Sequence, residues 1–264
     1  MPSFITDKTA QKVYVAENYW NEYFTCADKV DTLDLEQAVA SFSKLLKLIT
    51  VKDAYSAVGN FSEGLENYGD SIIYDRLARL FEKYFFDPNS PVRDEDMYGV
   101  FAAARAESQF TPEDMREAYR ADAAVCALNA RESVAADFNY CTSKGQNGSL
   151  HKLPARKTLV VFNNPGCENC REVQTSLCNN GVIKLLVERG LLTVICVYVD
   201  EDLQEWRDHA DLYPDNWINA YNPQCTIRNE QIYSLRAIPS LYLLDKDKRV
   251  ILKDAPFNDI LQRL

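Results

Sequence analysis

Two cysteines separated by two residues, Cys167 and Cys170 in the stretch Asn163-Asn-Pro-Gly-Cys-Glu-Asn-Cys-Arg171, have the residue type and spacing for reversible disulfide chemistry. A thiolate is the nucleophile in that chemistry, and a second thiol one helical turn away can close a short disulfide. The run ahead of them, Thr158-Leu-Val-Val-Phe162, is β-branched and aromatic and suits a strand buried on both faces. Behind them, Arg171 to Leu177 contains neither Gly nor Pro. Strand, turn, Cys-x-x-Cys and helix therefore follow in order and place Cys167 at the first turn of the helix. Unpaired backbone N–H groups and the positive end of the helix dipole favour an anion there, which is the Cys167 thiolate.

The same spacing holds half of a zinc site, but zinc needs two more ligands. The chain has no second Cys-x-x-Cys, and its two histidines, His151 and His209, are not in metal-ligand spacing. A redox dithiol is favoured over a metal site, and neither a metal nor a cofactor is expected. A second feature supports this reading. Ile238-Pro239-Ser240 precedes the apolar run Leu241-Tyr-Leu-Leu-Asp245, and a proline that opens a strand sits where its missing N–H costs no ladder bond. Such an X-Pro bond is also a candidate for the cis isomer.

Asp137-Phe138, Gly145, Leu150, the strand to Phe162, Cys167-x-x-Cys170, Trp217, Tyr233 and Ile238-Pro239-Ser240 with Tyr242-Leu-Leu-Asp245 together resemble a thioredoxin-fold domain. Within that fold they are most similar to envelope thiol-disulfide oxidoreductases of the TlpA and ResA type. The resemblance implies Cys167 as the attacking cysteine, Cys170 as the resolving one and Pro239 as the cis-proline facing them. It makes Ile238, Pro165 and Gly166 candidates for substrate binding. Two positions depart from the pattern. The tryptophan that often precedes the first cysteine is replaced by the turn Asn164-Pro165-Gly166, and the buried acid expected six residues before that cysteine is Val161. Glu168 and Glu172 are nearby candidates for tuning the thiol pKa, and they read equally well as solvated helix residues. A carboxylate between the cysteines disfavours the thiolate and stabilises the oxidised form, which points to a reductant.

At 264 residues the chain has room for two domains of ordinary size. Eight cysteines are too few for a disulfide scaffold, and Cys196, inside the apolar run Leu191 to Val199, reads as a small buried hydrophobe. Residues 1–132 carry 14 Lys and Arg against 23 Asp and Glu, a difference of −9, while residues 133–264 carry 15 against 16, a difference of −1. An acidic surface of this kind repels phosphate backbones and argues against nucleic-acid binding. No run reaches the roughly 18 apolar residues of a membrane span. The opening Met-Pro-Ser-Phe-Ile-Thr-Asp lacks the regions of a secretory signal and, as a native start, implies a cytoplasmic protein. The resemblance implies instead the bacterial cell envelope or periplasm, with a signal segment and a lipid anchor upstream.

The first half reads as helices: Lys8 to Phe24, Leu33 to Ile49, Lys52 to Tyr68 interrupted at Gly59 and Gly64, Asp70 to Phe86, Asp94 to Ser108, and Thr111 to about Arg131. Its aromatic residues Trp20, Phe42, Phe81 and Tyr84, at helical spacing, are assigned to the core. Asn18-Tyr-Trp-Asn21, Lys83-Tyr-Phe-Phe-Asp-Pro-Asn-Ser-Pro91 and Arg93-Asp-Glu-Asp-Met-Tyr98 resemble an uncharacterised helical domain found ahead of thioredoxin-like domains in bacterial envelope proteins. The pattern changes to strands from Ala136, and the stretch Pro214 to Pro223 reads as a loop.

The expectation is therefore an α/β multi-domain chain, with an all-α domain over residues 1–132 and a thioredoxin-fold domain of mixed sheet over residues 133–264. Its expected function is a thiol-disulfide oxidoreductase acting on protein or small disulfide substrates and recharged by an electron-donor protein. The competing expectation is a redox-inactive scaffold whose helical domain is the interaction surface.

Overall fold

In the computed structural model, which describes residues 2, 5–25 and 34–264, the chain divides into two compact units, Met1–Ala127 and Leu128–Leu264. Cys26 and the expected helix start at Leu33 lie outside the described residues. Residues 128–132 go with the second unit because their polar groups are satisfied there. Asn129 Nδ2 donates to the Ile232 carbonyl at 2.8 Å, and the Glu132 N–H donates to the Val250 carbonyl at 2.8 Å.

The first unit is helical among its described residues: α1 (Lys8–Glu17), α2 (Asn21–Thr25), α3 (Leu35–Leu46), α4 (Val51–Tyr68), α5 (Ser71–Phe81), α6 (Glu95–Glu107) and α7 (Glu113–Cys126). A turn of π-helix, Glu82–Phe86, follows α5. Four of these helices start on an acid: the side chains of Asp7, Asp34, Asp70 and Asp94 accept from first-turn N–H groups. The core is built on Phe61, whose ring lies 5.1 Å from Trp20, 5.2 Å from Phe81 and 5.8 Å from Phe101. Each fully buried ring of this kind contributes about 1.5–3 kcal/mol of transfer free energy. Trp20, Phe42 and Phe81 are in this core, whereas Tyr84 is only half-buried against it.

Two helix boundaries differ from the expectation. The segment Lys8 to Phe24 is broken after Glu17, where the Asn18 amide donates to the Tyr14 carbonyl and ends the helix. Conversely, Gly59 and Gly64 do not interrupt α4. A Cβ at Gly64 would stand 2.7 Å from the Phe24 ring, so this glycine admits the ring rather than breaking the helix.

The second unit is a seven-stranded sheet in the order β2-β1-β5-β4-β3-β6-β7, from β1 (Asn139–Thr142), β2 (Asn147–Ser149), β3 (Lys157–Asn163), β4 (Leu192–Tyr198), β5 (Ile218–Tyr221), β6 (Ser240–Leu244) and β7 (Val250–Leu252). Its three central strands, β5, β4 and β3, are parallel, and the outer pairings are antiparallel. The helices are α8 (Glu168–Asn179), α9 (Gly181–Glu188), α10 (Leu203–Asp208), α11 (Thr226–Asn229) and α12 (Phe257–Arg263).

Strand β3 is buried on both faces, as its composition demands. Val160 and Phe162 enter one core with Phe138, Tyr233 and Tyr242, while Leu159 and Val161 enter the other with Leu177, Ile183 and Ile260. The two-residue period of the strand divides its side chains between these cores. The stretch Pro214 to Pro223 is not simply a loop. Ile218–Tyr221 forms a strand pairing with β4, Ile195 opposite Ile218 and Val197 opposite Ala220. The prolines and asparagines that flank it had masked a segment only four residues long.

Candidate active site

The cysteine turn leaves the carboxyl end of β3, and three elements converge there. Because β4 is parallel to β3, with Asn163 opposite Tyr198, the chain after β4 emerges at the same end. Because β6 is antiparallel, with Phe162 opposite Ser240, residues 238 and 239 arrive there as well. The Ile238–Pro239 bond is cis, and both residues are half-buried.

Cys167 is the N-cap of α8 rather than a member of its first turn. Its backbone is extended (φ −82°, ψ 130°), and its carbonyl accepts the first helical bond from the Arg171 N–H at 3.1 Å. Cys167 is half-buried and its side chain makes no capping hydrogen bond, at a helix end where the N–H groups of the first turn have no helical partner. Cys170 is one turn on, 1% exposed, on the face of α8 that also buries Gln174 and Leu177. Both cysteines are thiols. The Cys170 thiol is pushed up to about 12, first by burial and then by its contact with Cys167 and the charge of Asp200; a backbone hydrogen bond with Asn164 pulls the other way.

Asn164 organises the turn. Its Oδ1 accepts from the Gly166 N–H at 2.8 Å, its carbonyl accepts from the Cys167 N–H at 3.0 Å, and its Nδ2 donates to Asp200 Oδ2 at 2.6 Å. Pro165 is buried beneath the turn and Gly166 is exposed. A Cβ at Gly166 would stand 2.5 Å from Glu205 Oε1 and 3.1 Å from Asn164 Oδ1, so glycine lets the Glu205 carboxylate approach the turn. A cleft of about 550 Å³ opens beside it, lined by Asn164, Asp200, Glu201, Glu205, Cys225 and Arg228 among others.

On the β6 side of this end of the sheet a second carboxylate holds the residue after the cis-proline. Ser240, the residue after Pro239, donates its hydroxyl to Asp254 Oδ1 at 2.8 Å, and Arg236 stands 3.7 Å from Asp254 Oδ2. Both Ser240 and Asp254 are buried.

The expected site residues are thus distributed unevenly. Cys167, Cys170, Pro165 and Gly166 form one turn, and the sheet register brings Ile238 and Pro239 to the same end. Glu168 and Glu172 are exposed on α8, and the carboxylate whose charge reaches Cys170 is Asp200. Val161 is buried among apolar side chains, so no acid stands at that position. Asp200, Glu205 and Arg228 escaped the sequence reading. One signal pointed to the first of them: in sheets with parallel strands, functional groups gather at the carboxyl ends, and Asp200 follows the end of β4. Among the described residues no group of three or more His, Cys, Asp or Glu is placed to hold a metal ion. Nor is any helix among them long and apolar enough to cross a membrane.

Comparison with known proteins follows the same division of the chain. The model of a domain of unknown function (DUF5106) matches residues 1–124. No curated protein matches the sequence. Among solved structures, a thioredoxin-like protein from Bacteroides caccae is 31% identical with a TM-score of 0.83, covering 100% of this chain and 95% of that one. The C-terminal domain of an uncharacterized protein from Bacteroides fragilis is 40% identical with a TM-score of 0.51, covering 52% of this chain and 99% of that one. A conserved Bacteroides fragilis protein of unknown function is 37% identical with a TM-score of 0.49, covering 51% and 98%. The full-length match to the Bacteroides caccae protein accounts for both units at once, and by it the chain belongs to the thioredoxin-like proteins.

Proposed function

We propose that the chain is a thiol-disulfide oxidoreductase that reduces disulfides of proteins or small molecules through Cys167 and Cys170. The observation that carries this is the unequal pair of thiols: Cys167 reaches the surface at a helix N-terminus, and Cys170 lies sealed one turn behind it. The Cys167 thiolate attacks one sulfur of a substrate disulfide, forming a mixed disulfide and expelling the other sulfur as a thiolate. Cys170 then loses its proton and attacks the Cys167 sulfur, and the second substrate sulfur leaves. The substrate gains two electrons, its two sulfurs take up protons, and the protein retains a Cys167–Cys170 disulfide. A donor protein that returns two electrons closes the cycle, and no metal or cofactor enters it. Ile238 and Pro239 supply the wall along which a substrate strand lies, and Pro165 and Gly166 shape the turn it meets. The bacterial envelope is the compartment we assign to this activity.

Insulin reduction with dithiothreitol as electron source tests the reading. Cys167→Ser is expected to abolish turnover, and Cys170→Ser, reduced and then freed of dithiothreitol before insulin is added, to accumulate a covalent mixed disulfide. Wild-type protein that reduces insulin no faster than Cys167→Ser would leave a scaffold in its place. For the direction, equilibration with glutathione buffers is expected to give a potential below about −200 mV, on the reducing side.

A further inference from the structure

Asp200 is wired to the cysteine turn through one side chain. Its Oδ2 accepts from Asn164 Nδ2 at 2.6 Å, and its Oδ1 pairs with Arg228 Nη1, also at 2.6 Å. Asn164 in turn accepts from the N–H groups of Gly166 and Cys167 and makes the backbone hydrogen bond to Cys170. Arg228 is itself held. It lies on α11, where Asn222 Oδ1 accepts from the Ile227 N–H at 2.8 Å and from the Thr226 hydroxyl at 3.1 Å. Asn222 Nδ2 is anchored on the Asn139 carbonyl at 2.8 Å. The approach to α11 passes through Gln224 and Cys225, two consecutive non-glycine residues at φ 60° and 50°, a conformation that persists only where its surroundings enforce it.

The chemistry of these groups explains what the wiring does. An asparagine amide has a donor end and an acceptor end that differ little in shape, whereas an ionised carboxylate only accepts. Asp200 therefore compels the NH₂ end of Asn164 to face it, which leaves Oδ1 for the Gly166 N–H. Arg228, which only donates, pairs with the other carboxylate oxygen and so holds the orientation of the group.

We propose that Asp200, anchored by Arg228, is a positioning residue of the dithiol: by orienting Asn164 it holds the turn so that Cys170 stands ready to displace a captured sulfur from Cys167. This rests on the oxidoreductase reading above. The carboxylate also acts on Cys170 through its field, in the opposite sense. Its charge helps to keep the thiol protonated, so losing that charge alone would speed the displacement. The field is the smallest of the causes acting on Cys170, so the loss of geometry is expected to dominate.

The test is the reaction of the full chain with 5,5′-dithiobis(2-nitrobenzoate). Attack by Cys167 releases one thionitrobenzoate in a phase that scales with reagent concentration. Displacement by Cys170 releases the second in a phase independent of it, leaving the Cys167–Cys170 disulfide, and Cys167→Ser supplies the baseline from the other thiols. Asp200→Ala is expected to keep the first phase at the wild-type rate and to slow the second on the order of tenfold or more, the scale of a misplaced reacting group. Asn164→Ala is expected to do the same. The double variant should be no slower than either single one, because both act on one element. Arg228, 43% exposed, stays hydrated when its partner is removed, so the Asp200→Ala chain is expected to fold.

A second phase unchanged or faster in Asp200→Ala overturns the proposal. So does a double variant in which the two effects multiply, or a slowing of both phases alike together with a lower melting temperature. Wild-type protein that releases no more thionitrobenzoate than Cys167→Ser overturns the oxidoreductase reading instead.

Discussion

The two sulfurs of the Cys-x-x-Cys differ in burial, and that difference has a consequence for stability. An ordinary thiol titrates near 9.0, whereas Cys170 in the folded chain is pushed up to about 12, chiefly by burial. Between those values the unfolded chain has lost a proton that the folded chain keeps. The contribution is therefore complete below pH 9 and falls as pH rises towards 12. Buried Cys196 shifts in the same direction, so the wild-type slope is a sum. Urea midpoints measured across this range are expected to fall less steeply for Cys170→Ala than for the wild type; equal slopes would show that Cys170 does not carry the effect. At this scale the placement of the candidate site was legible wherever its residues lie within a few neighbouring positions. Spacing alone gave Cys167, Cys170 and the turn before them. Asp200 and Arg228 were not legible, because each is an ordinary surface-type residue until the end of β4 brings Asp200 to Asn164 and α11 brings Arg228 to Asp200.

Among the elements, helix α6 meets α7 at a glycine whose lack of a side chain is needed. A Cβ at Gly99 would stand 2.8 Å from the Cys126 Cβ and 3.8 Å from the Ala123 carbonyl oxygen. Neither neighbour is the flexible end of a long side chain, so the helices themselves must move apart. Gly99→Ala is expected to destabilise the helical unit by about 1–3 kcal/mol, the usual cost of overpacking, despite alanine's higher helix propensity. Thermal unfolding followed by far-ultraviolet circular dichroism measures this, and an unchanged or higher midpoint would contradict it. Most elements were legible because their signals are local: acids at helix starts, two-sided apolar runs for β3, β4 and β6. Strand β5 was hidden because four residues among prolines and asparagines carry almost no period of their own. It exists because the edge of β4 offers a parallel partner.

For the whole molecule, each unit has its own apolar core: the Phe61 cluster in one, and the two faces of the sheet in the other. Residues 128–264 expressed alone are therefore expected to unfold cooperatively and to keep the reactivity of the cysteine pair. Equilibrium unfolding in urea and the release of thionitrobenzoate measure the two properties, and a non-cooperative transition would show that the second unit depends on the first. The two halves already differ in charge, since the excess of acid falls almost wholly in residues 1–132. Where one unit ends was not visible. The segment from Leu128 continues the polarity of α7, and its membership is decided by hydrogen bonds to residues a hundred positions away, such as that from Asn129 to Ile232.

The three tryptophans are also divided between the units. Trp20 sits in the aromatic core of the helices, while Trp206, whose indole N–H donates to Asn219 Oδ1 at 2.8 Å, and Trp217 sit beside the sheet. Each unit thus contains its own intrinsic fluorophore. With Trp20 replaced by phenylalanine, the remaining emission becomes an optical clock for the sheet alone, and the difference from wild type becomes one for the helices. The order in which the two halves melt can then be timed in a single cuvette without attaching a dye.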